Sequence, residues 1–109
     1  MPEDAPVSPN TGWGVLHLFC KPRPEAKARS LLDAIDAARK HDCQVVTAAM
    51  LGHKADVCVL ALGPDLRRLR RLQTELQTGG LDVVDSYVSL TEVSEYAVGV
   101  PEDMRQARL

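Results

Sequence analysis

The chain has 109 residues and a mass of 11.9 kDa, which fits one domain and leaves no room for two independent cores. Hydrophobic residues make up 45% and aromatic residues only 4%, so we expect a packed core filled by aliphatic side chains. The 13 basic and 15 acidic residues give a net charge of −2, which argues against a protein that mainly neutralises nucleic-acid phosphates.

Localisation is inferred from what the sequence lacks. No apolar run approaches the roughly 20 residues needed to cross a bilayer, and the amino terminus has no basic segment followed by an apolar stretch. We therefore expect a cytoplasmic protein with no membrane partner. Cys20, Cys43 and Cys58 lack the spacing of a disulfide framework or a C-x-x-C site, which predicts reduced and buried thiols.

The amino-terminal segment differs in composition from the rest of the chain. Residues 1–12 are rich in proline and have no apolar periodicity, so we expect a flexible leader before a domain that spans residues 13–109. The apolar run from Trp13 to Cys20 predicts the first strand. Pro22 and Pro24 are expected to end this strand, because proline cannot donate to a sheet ladder.

The next segment is typical of an amphipathic helix. Pro24 and Glu25 suit a first helical turn, where an N–H is not needed and a negative charge is favourable. Apolar residues then recur with helical spacing and predict a buried stripe. The stripe consists of Ala28, Leu31, Leu32, Ile35 and Ala38.

The second half of the chain repeats this pattern in another order. Runs at residues 43–50 and 55–62 are joined by a short polar turn and predict an antiparallel hairpin. A leucine stripe predicts a second helix, and Gly79–Gly80 offers the positive φ that a helix end commonly needs. A final strand is expected from Leu81 to about Val93. The leucines of the stripe are Leu66, Leu69, Leu72 and Leu76.

The element order predicts an α+β fold of the ferredoxin-like, split βαβ class (βαββαβ). Right-handed crossovers place both helices on one face of a four-stranded antiparallel sheet. The first strand nevertheless has apolar residues on both faces, Val15 and Phe19 on one and Leu16 and Leu18 on the other. We therefore expect the bare face to pack against a second copy or domain, forming a dimeric α+β barrel within an oligomer.

The histidines do not form a recognisable metal site. His17, His41 and His53 lack metal-ligand spacings, and strand alternation places His17 and Cys20 on opposite sheet faces. His17 is then either a hydrogen-bonded core residue or part of a pocket on the bare face. The sequence also lacks a nucleophile elbow, a phosphate-binding loop and a dinucleotide fingerprint, so we assign no catalytic residue.

Each of two polar clusters has two possible roles, one structural and one in binding. Arg67, Arg68, Arg70 and Arg71 form either a solvated helix face or a site for an anion or an acidic partner. No interleaved aromatic residues offer a base-stacking platform, which again argues against nucleic acid. On the last strand, the alternation places the hydroxyls of Tyr87, Ser89 and Thr91 on one face. These hydroxyls suit carboxylate binding, or they belong to a solvated edge strand.

Three segments carry a resemblance to a known family. His17–Cys20 (HLFC), Leu51–Leu76 and Gly80–Met104 resemble the amino-terminal half of chlorite dismutase family proteins, and the coproheme decarboxylase branch is the nearest. The run from Ser86 to Tyr96 (SYVSLTEVSEY) is the most specific part. The similarity extends from about Trp13 to Leu109.

The resemblance implies a larger assembly around a heme group. Members combine two ferredoxin-like domains into a barrel, and the second domain supplies the proximal histidine and the distal pocket. This chain stops at Leu109, before that domain would begin, and none of its histidines matches the axial ligand. Heme or coproheme (iron porphyrin) is therefore expected only together with the carboxy-terminal heme-binding half or subunit.

The matched half is expected to contribute a rim around the porphyrin propionates. The resemblance and the position at the end of the last strand indicate hydroxyl or backbone N–H donors, with Glu95 acting only through its backbone. The residues of this rim are Tyr87, Ser89, Ser94, Glu95 and Tyr96.

The implied activity is heme biosynthesis by peroxide-dependent oxidative decarboxylation of coproheme propionates to vinyl groups. We do not expect this activity from the 109-residue chain alone. Two alternatives remain open: a non-catalytic interaction module of the same family, and a small self-associating α+β barrel that binds another ligand.

Overall fold

A computed structural model describes residues 5–9, 12–52 and 54–91. The order of the elements is strand, helix, strand, strand, helix, strand, which confirms the predicted ferredoxin-like α+β fold. No helix in these ranges is long and apolar enough to cross a membrane. The elements are β1 (Gly14–Pro22), α1 (Ala28–Arg39), β2 (Gln44–Ala49), β3 (Val57–Gly63), α2 (Leu66–Thr78) and β4 (Leu81–Leu90).

The four strands form one antiparallel sheet in the order β2-β3-β1-β4. β2 and β3 form the predicted hairpin, and β1 lies in the centre, paired with β3 on one side and β4 on the other. The predicted end of the last strand near Val93 lies outside the described residues. Within them, β4 ends at Leu90.

The hydrophobic core lies between the sheet and the two helices. Leu18 of β1 and Leu72 and Leu76 of α2 are among its largest fully buried side chains. Burying each such side chain contributes about 1.5–3 kcal/mol. The core cluster contains no aromatic residue, as the composition predicted. Its other members are Leu16, Cys20, Ala34, Ile35, Ala38, Cys43, Val45, Val59, Ala61, Leu69 and Leu81.

The prolines after β1 behave differently from the prediction. β1 continues to Pro22, which pairs with Leu81 of β4. Pairing with β3 has already ended at Cys20, so the strand has only one neighbour there and a missing N–H is tolerated. The prediction that α1 begins at Pro24 is also wrong. Pro24 lies in a turn in which the Ala26 N–H donates to the Arg23 carbonyl, and α1 begins only at Ala28.

The buried stripe of α1 is shifted from the predicted one. Ala34, Ile35 and Ala38 are buried, whereas Leu32 is 54% exposed and Ala28 is also exposed. The first three residues, together with the half-buried Leu31, share one helical face, and Leu32 lies beyond its edge. The predicted leucine stripe of α2 is confirmed.

The turn after β1 is attached to the junction between α2 and β4. The Arg23 guanidinium donates to the Glu25 carboxylate at 2.8 Å, the Asp82 carboxylate at 2.7 Å and the Gln77 carbonyl at 2.8 Å. The hydrogen bond to Asp82, followed by that to Glu25, raises the pKa of Arg23 above its usual value. The backbone N–H of Lys27 also donates to the Gly79 carbonyl at 3.0 Å. The two crossover connections are therefore joined at one point.

A bulge interrupts the pairing of β1 with β4. Phe19 lies opposite Asp85, but the next residue, Cys20, lies opposite Val83, so Val84 is an extra residue on β4. Val83 therefore faces the helices with Cys20, while Asp85 faces the other side of the sheet with Phe19. Odd-numbered residues of β4 therefore face the helices before Val84 and the opposite side of the sheet after it.

Substitution of Gly80 tests whether the α2–β4 junction needs a residue without a side chain. Gly80 has φ +118°, and a Cβ there would collide with the backbone of Ala26. Gly52 has φ +73° but open space around it, so it is a matched control. We expect Gly80→Ala to lower the free energy of unfolding by about 3 kcal/mol and Gly52→Ala by about 1 kcal/mol, in urea titrations. Equal losses would show that backbone conformation alone matters at Gly80.

Candidate functional site

The candidate site is the sheet face turned away from the helices, which we call the open face. The strand register places its residues in rows that run across β2, β3, β1 and β4 in that order. The rows are Gln44–Leu62–Val15–Ser89, Val46–Leu60–His17–Tyr87 and Ala48–Cys58–Phe19–Asp85.

The open face is mostly apolar over β2, β3 and β1, apart from Gln44 and His17, and polar along β4. No element among the described residues packs over it, and Val46 and Tyr87 are 57% and 54% exposed. Leu60 and Phe19 are only half-buried, although they occupy the two central strands. The prediction of apolar residues on both sheet faces is confirmed. A contiguous exposed apolar surface of this kind marks an interaction site.

A polar cluster lies at the β4 side of this face. The His17 and Tyr87 rings stack with centroids 4.0 Å apart and an interplanar angle of 19°. The Nε2 atom of His17 is 3.2 Å from the Ser89 hydroxyl, a hydrogen bond whose donor depends on the imidazole tautomer. Phe19 contacts the same tyrosine at a centroid distance of 6.1 Å.

Cross-strand pairing explains the cluster. His17 and Tyr87 lie directly opposite each other, and Ser89 is the diagonal neighbour two residues further along β4. Residues 72 positions apart in the sequence are thus brought into contact by the register of one strand pair. The sequence left two positions for His17, the core or the bare face, and its alternation relative to Leu16 and Leu18 was the signal for the bare face.

The predicted rim residues are only partly described. Tyr87 and Ser89 lie on the open face, on the same side as predicted. Thr91, which shares their alternation, accepts a hydrogen bond from the Trp13 N–H at 2.7 Å. Ser94, Glu95 and Tyr96 lie outside the described residues, so their roles stay predictions.

The prediction of buried thiols is confirmed for Cys20 and Cys43 and wrong for Cys58, which is half-buried because it lies on the uncovered sheet face. Burial, followed by the charge of Cys58, raises the pKa of Cys20 to about 11. Burial also raises the pKa of Cys43. Cys20 faces the core while His17 faces the opposite side, as the alternation predicted. Among the described residues no three histidine, cysteine or acidic side chains are grouped as a metal site would require.

The open face fits one wall of a porphyrin site but not a whole one. Its apolar strands suit the flat macrocycle, and the hydroxyls of Tyr87 and Ser89 suit carboxylates. In the described part of the chain, however, the histidines are His17, whose Nε2 is paired with Ser89, and His41, which lies in an exposed turn. The described residues thus offer no ready axial ligand and no enclosing cavity.

Comparison with known proteins identifies the family of the chain. The family profile described as chlorite dismutase matches residues 24–108, which include every element from α1 to β4. A protein of Natronomonas pharaonis, described as a "putative heme-binding protein", is 32% identical over 115 residues. The alignment covers 88% of this chain and 19% of that relative, so the chain spans only a small part of the relative's length. The chain belongs to the chlorite dismutase family.

Proposed function

We propose that this chain is the amino-terminal ferredoxin-like module of a heme protein of the chlorite dismutase family. Its open face packs against a second ferredoxin-like layer and closes an α+β barrel. The observation that carries this proposal is an apolar sheet face with an imidazole and two hydroxyls along one edge. The description of the Natronomonas relative supports heme as the ligand.

The need for a second layer follows from solvent exposure. Covering the open face removes the side chains of Val46, Leu60 and Phe19 from water, and this is favourable by about 25 cal/mol for each Å² buried. The second layer is the carboxy-terminal half of the family fold, or a further copy of such a domain. Association into an oligomer follows from the same surface.

β4 then supplies the polar rim of the porphyrin site. The hydroxyls of Tyr87 and Ser89 donate to propionate oxygens, and His17 positions both by stacking and hydrogen bonding. Asp85, which is also on this face, repels carboxylates, so the propionates bind toward Ser89. Ser94, Tyr96 and the backbone N–H of Glu95 complete the rim.

The finer activity that we propose is oxidative decarboxylation of coproheme, with hydrogen peroxide as the oxidant. The iron porphyrin supplies the redox chemistry, while this chain binds and orients the propionates and excludes water from one side. No catalytic residue is assigned to the chain itself.

A second candidate function is a non-catalytic module of the same family. The described histidines offer no ready axial ligand, so any affinity for porphyrin depends on the second layer, and a second layer without an axial histidine gives this module. Such a module associates through the open face in the same way but has no affinity for porphyrin.

Cys58 reports whether the open face becomes covered. It is half-buried on that face, whereas Cys20 and Cys43 are buried with raised pKa values. We expect iodoacetamide at pH 8 to label Cys58 first in the dilute protein, since burial keeps the other two thiols protonated. Raising the protein concentration should slow labelling of Cys58 about tenfold, in step with the mass measured by light scattering.

The control is a Ser30→Cys variant, which places a thiol on the exposed side of α1. Its added thiol should react at the same rate at every concentration. Labelling of Cys58 that does not slow while the mass rises would mean that association uses another surface.

Carboxylate recognition is tested in the assembled protein with coproheme and its tetramethyl ester. We expect the free acid to bind about tenfold more tightly, measured by the Soret shift, because ionised carboxylates accept stronger hydrogen bonds than ester carbonyls do. Ser89→Ala and Tyr87→Phe should each weaken binding of the free acid about 3–10-fold, the usual effect of one hydrogen bond, and weaken binding of the ester less.

Gln44→Ala is the matched control, because Gln44 lies in the same row as Ser89 at the opposite edge of the sheet. It should change neither affinity. Equal binding of acid and ester would contradict the rim, and association without any Soret shift would favour the non-catalytic module. Formation of vinyl products after peroxide addition, followed by mass spectrometry, tests the decarboxylation itself.

A further inference from the structure

A cavity lies in the helix layer, away from the open face. It has a volume of about 810 Å³ and lies between the leader, the turn after α1 and the first turns of α2. We call it the basic cleft. Its basic lining residues are Lys40, His41, Arg67, Arg68 and Arg71.

The charge of the basic cleft is opposite to that of the whole chain. Lysine and arginine contribute four positive charges, and Asp42 and Asp65 contribute two negative ones, so two positive charges remain in excess. The chain as a whole has a net charge of −2. Arg67 and Arg71 are four residues apart on one helix, where like charges repel each other, and the Glu75 carboxylate, 3.5 Å from the Arg71 Nε atom, offsets only part of this charge. A bound anion would relieve this repulsion.

Arg68 provides an independent indication of a ligand. Its Nε atom is removed from solvent and has no hydrogen-bond partner among the residues that the structure describes. A buried donor without an acceptor is unfavourable, and guanidinium groups bind oxoanions through two parallel N–H donors. Arg68 lines the cleft, so an oxoanion bound there lies beside this guanidinium group.

The backbone at the start of α2 is already satisfied. The N–H of Leu66 donates to the Val7 carbonyl at 2.8 Å, and that of Arg67 donates to the Asp65 carboxylate at 3.0 Å. The next two N–H groups donate to the Asp65 carbonyl. Any ligand is therefore held by side chains and not by the helix terminus.

The lining also restricts the chemistry of the ligand. It contains no phenylalanine, tyrosine or tryptophan, so a nucleobase finds no surface for stacking. The volume exceeds that of a single oxoanion, and the excess charge of two favours a ligand with several negative charges. We propose that the basic cleft binds a small polyanion of the diphosphate class.

The experiment measures binding of inorganic pyrophosphate to the full chain by calorimetry and ³¹P NMR. We expect saturable binding at one site, with orthophosphate and citrate binding at least about fivefold more weakly. Adenosine diphosphate should bind no more tightly than pyrophosphate, because the lining offers no stacking. Tighter binding of citrate than of pyrophosphate would overturn the diphosphate assignment.

The variants separate the cleft from general charge effects. Arg68→Gln and Arg71→Gln should each weaken pyrophosphate binding about tenfold, as expected for a charged hydrogen bond. Arg70→Gln removes the same charge from an exposed position of the same helix outside the cleft, and should change affinity less than twofold. Arg71 is exposed, so its variant stays informative if Arg68→Gln fails to fold.

Equal losses in Arg71→Gln and Arg70→Gln, or no saturable binding, would overturn the proposal. Binding only to a long polyanion such as heparin would also overturn it. Tyr87→Phe should leave pyrophosphate binding unchanged, since Tyr87 lies on the open face. Failure of the basic cleft is therefore distinguishable from failure of the porphyrin proposal.

Discussion

The structure depends on one imbalance: a sheet that is apolar on both faces has helices on only one of them within residues 5–9, 12–52 and 54–91. Right-handed crossovers force α1 and α2 onto the same side, so they cannot cover the other face. The helix side forms an ordinary aliphatic core around Leu18, Leu72 and Leu76. The other side keeps Leu60 and Phe19 partly in water. Association and ligand binding on the open face are both consequences of this surface.

The open face is also uneven from edge to edge. β2 and β3 contribute mainly aliphatic side chains, with Gln44 at the far edge, and most polar groups are concentrated where His17 meets Tyr87 and Ser89. Such a gradient suits a ligand with an apolar body and a charged margin, which is the chemistry of a porphyrin with its propionates. The basic cleft lies in the helix layer, so the two surfaces can be altered independently.

Local periodicity was sufficient to predict most of the fold. The leucines of α2 and the alternation of Leu16 and Leu18 specify buried faces without reference to the rest of the chain. Features that depend on a neighbour were missed. Pro22 is tolerated because the pairing of β1 with β3 does not extend beyond Cys20. Leu32 is exposed because the face of α1 that packs on the core is centred on Ala34 and Ile35.

The candidate site likewise combines features that local periodicity predicts with features that depend on a neighbouring strand. Alternation placed Tyr87 and Ser89 on a common face, but their contact with His17 depends on the register between β1 and β4. The basic cleft needed three separate segments to meet, so the sequence showed only an arginine-rich helix with two readings. At the extra residue Val84 the side chains of β4 change their alternation: before it, Leu81 and Val83 face the helices, and after it, Tyr87 and Ser89 face the open side. Loss of that single residue would turn Tyr87 and Ser89 inward, so the chain's recognition surface is encoded by a count of residues as much as by their identity.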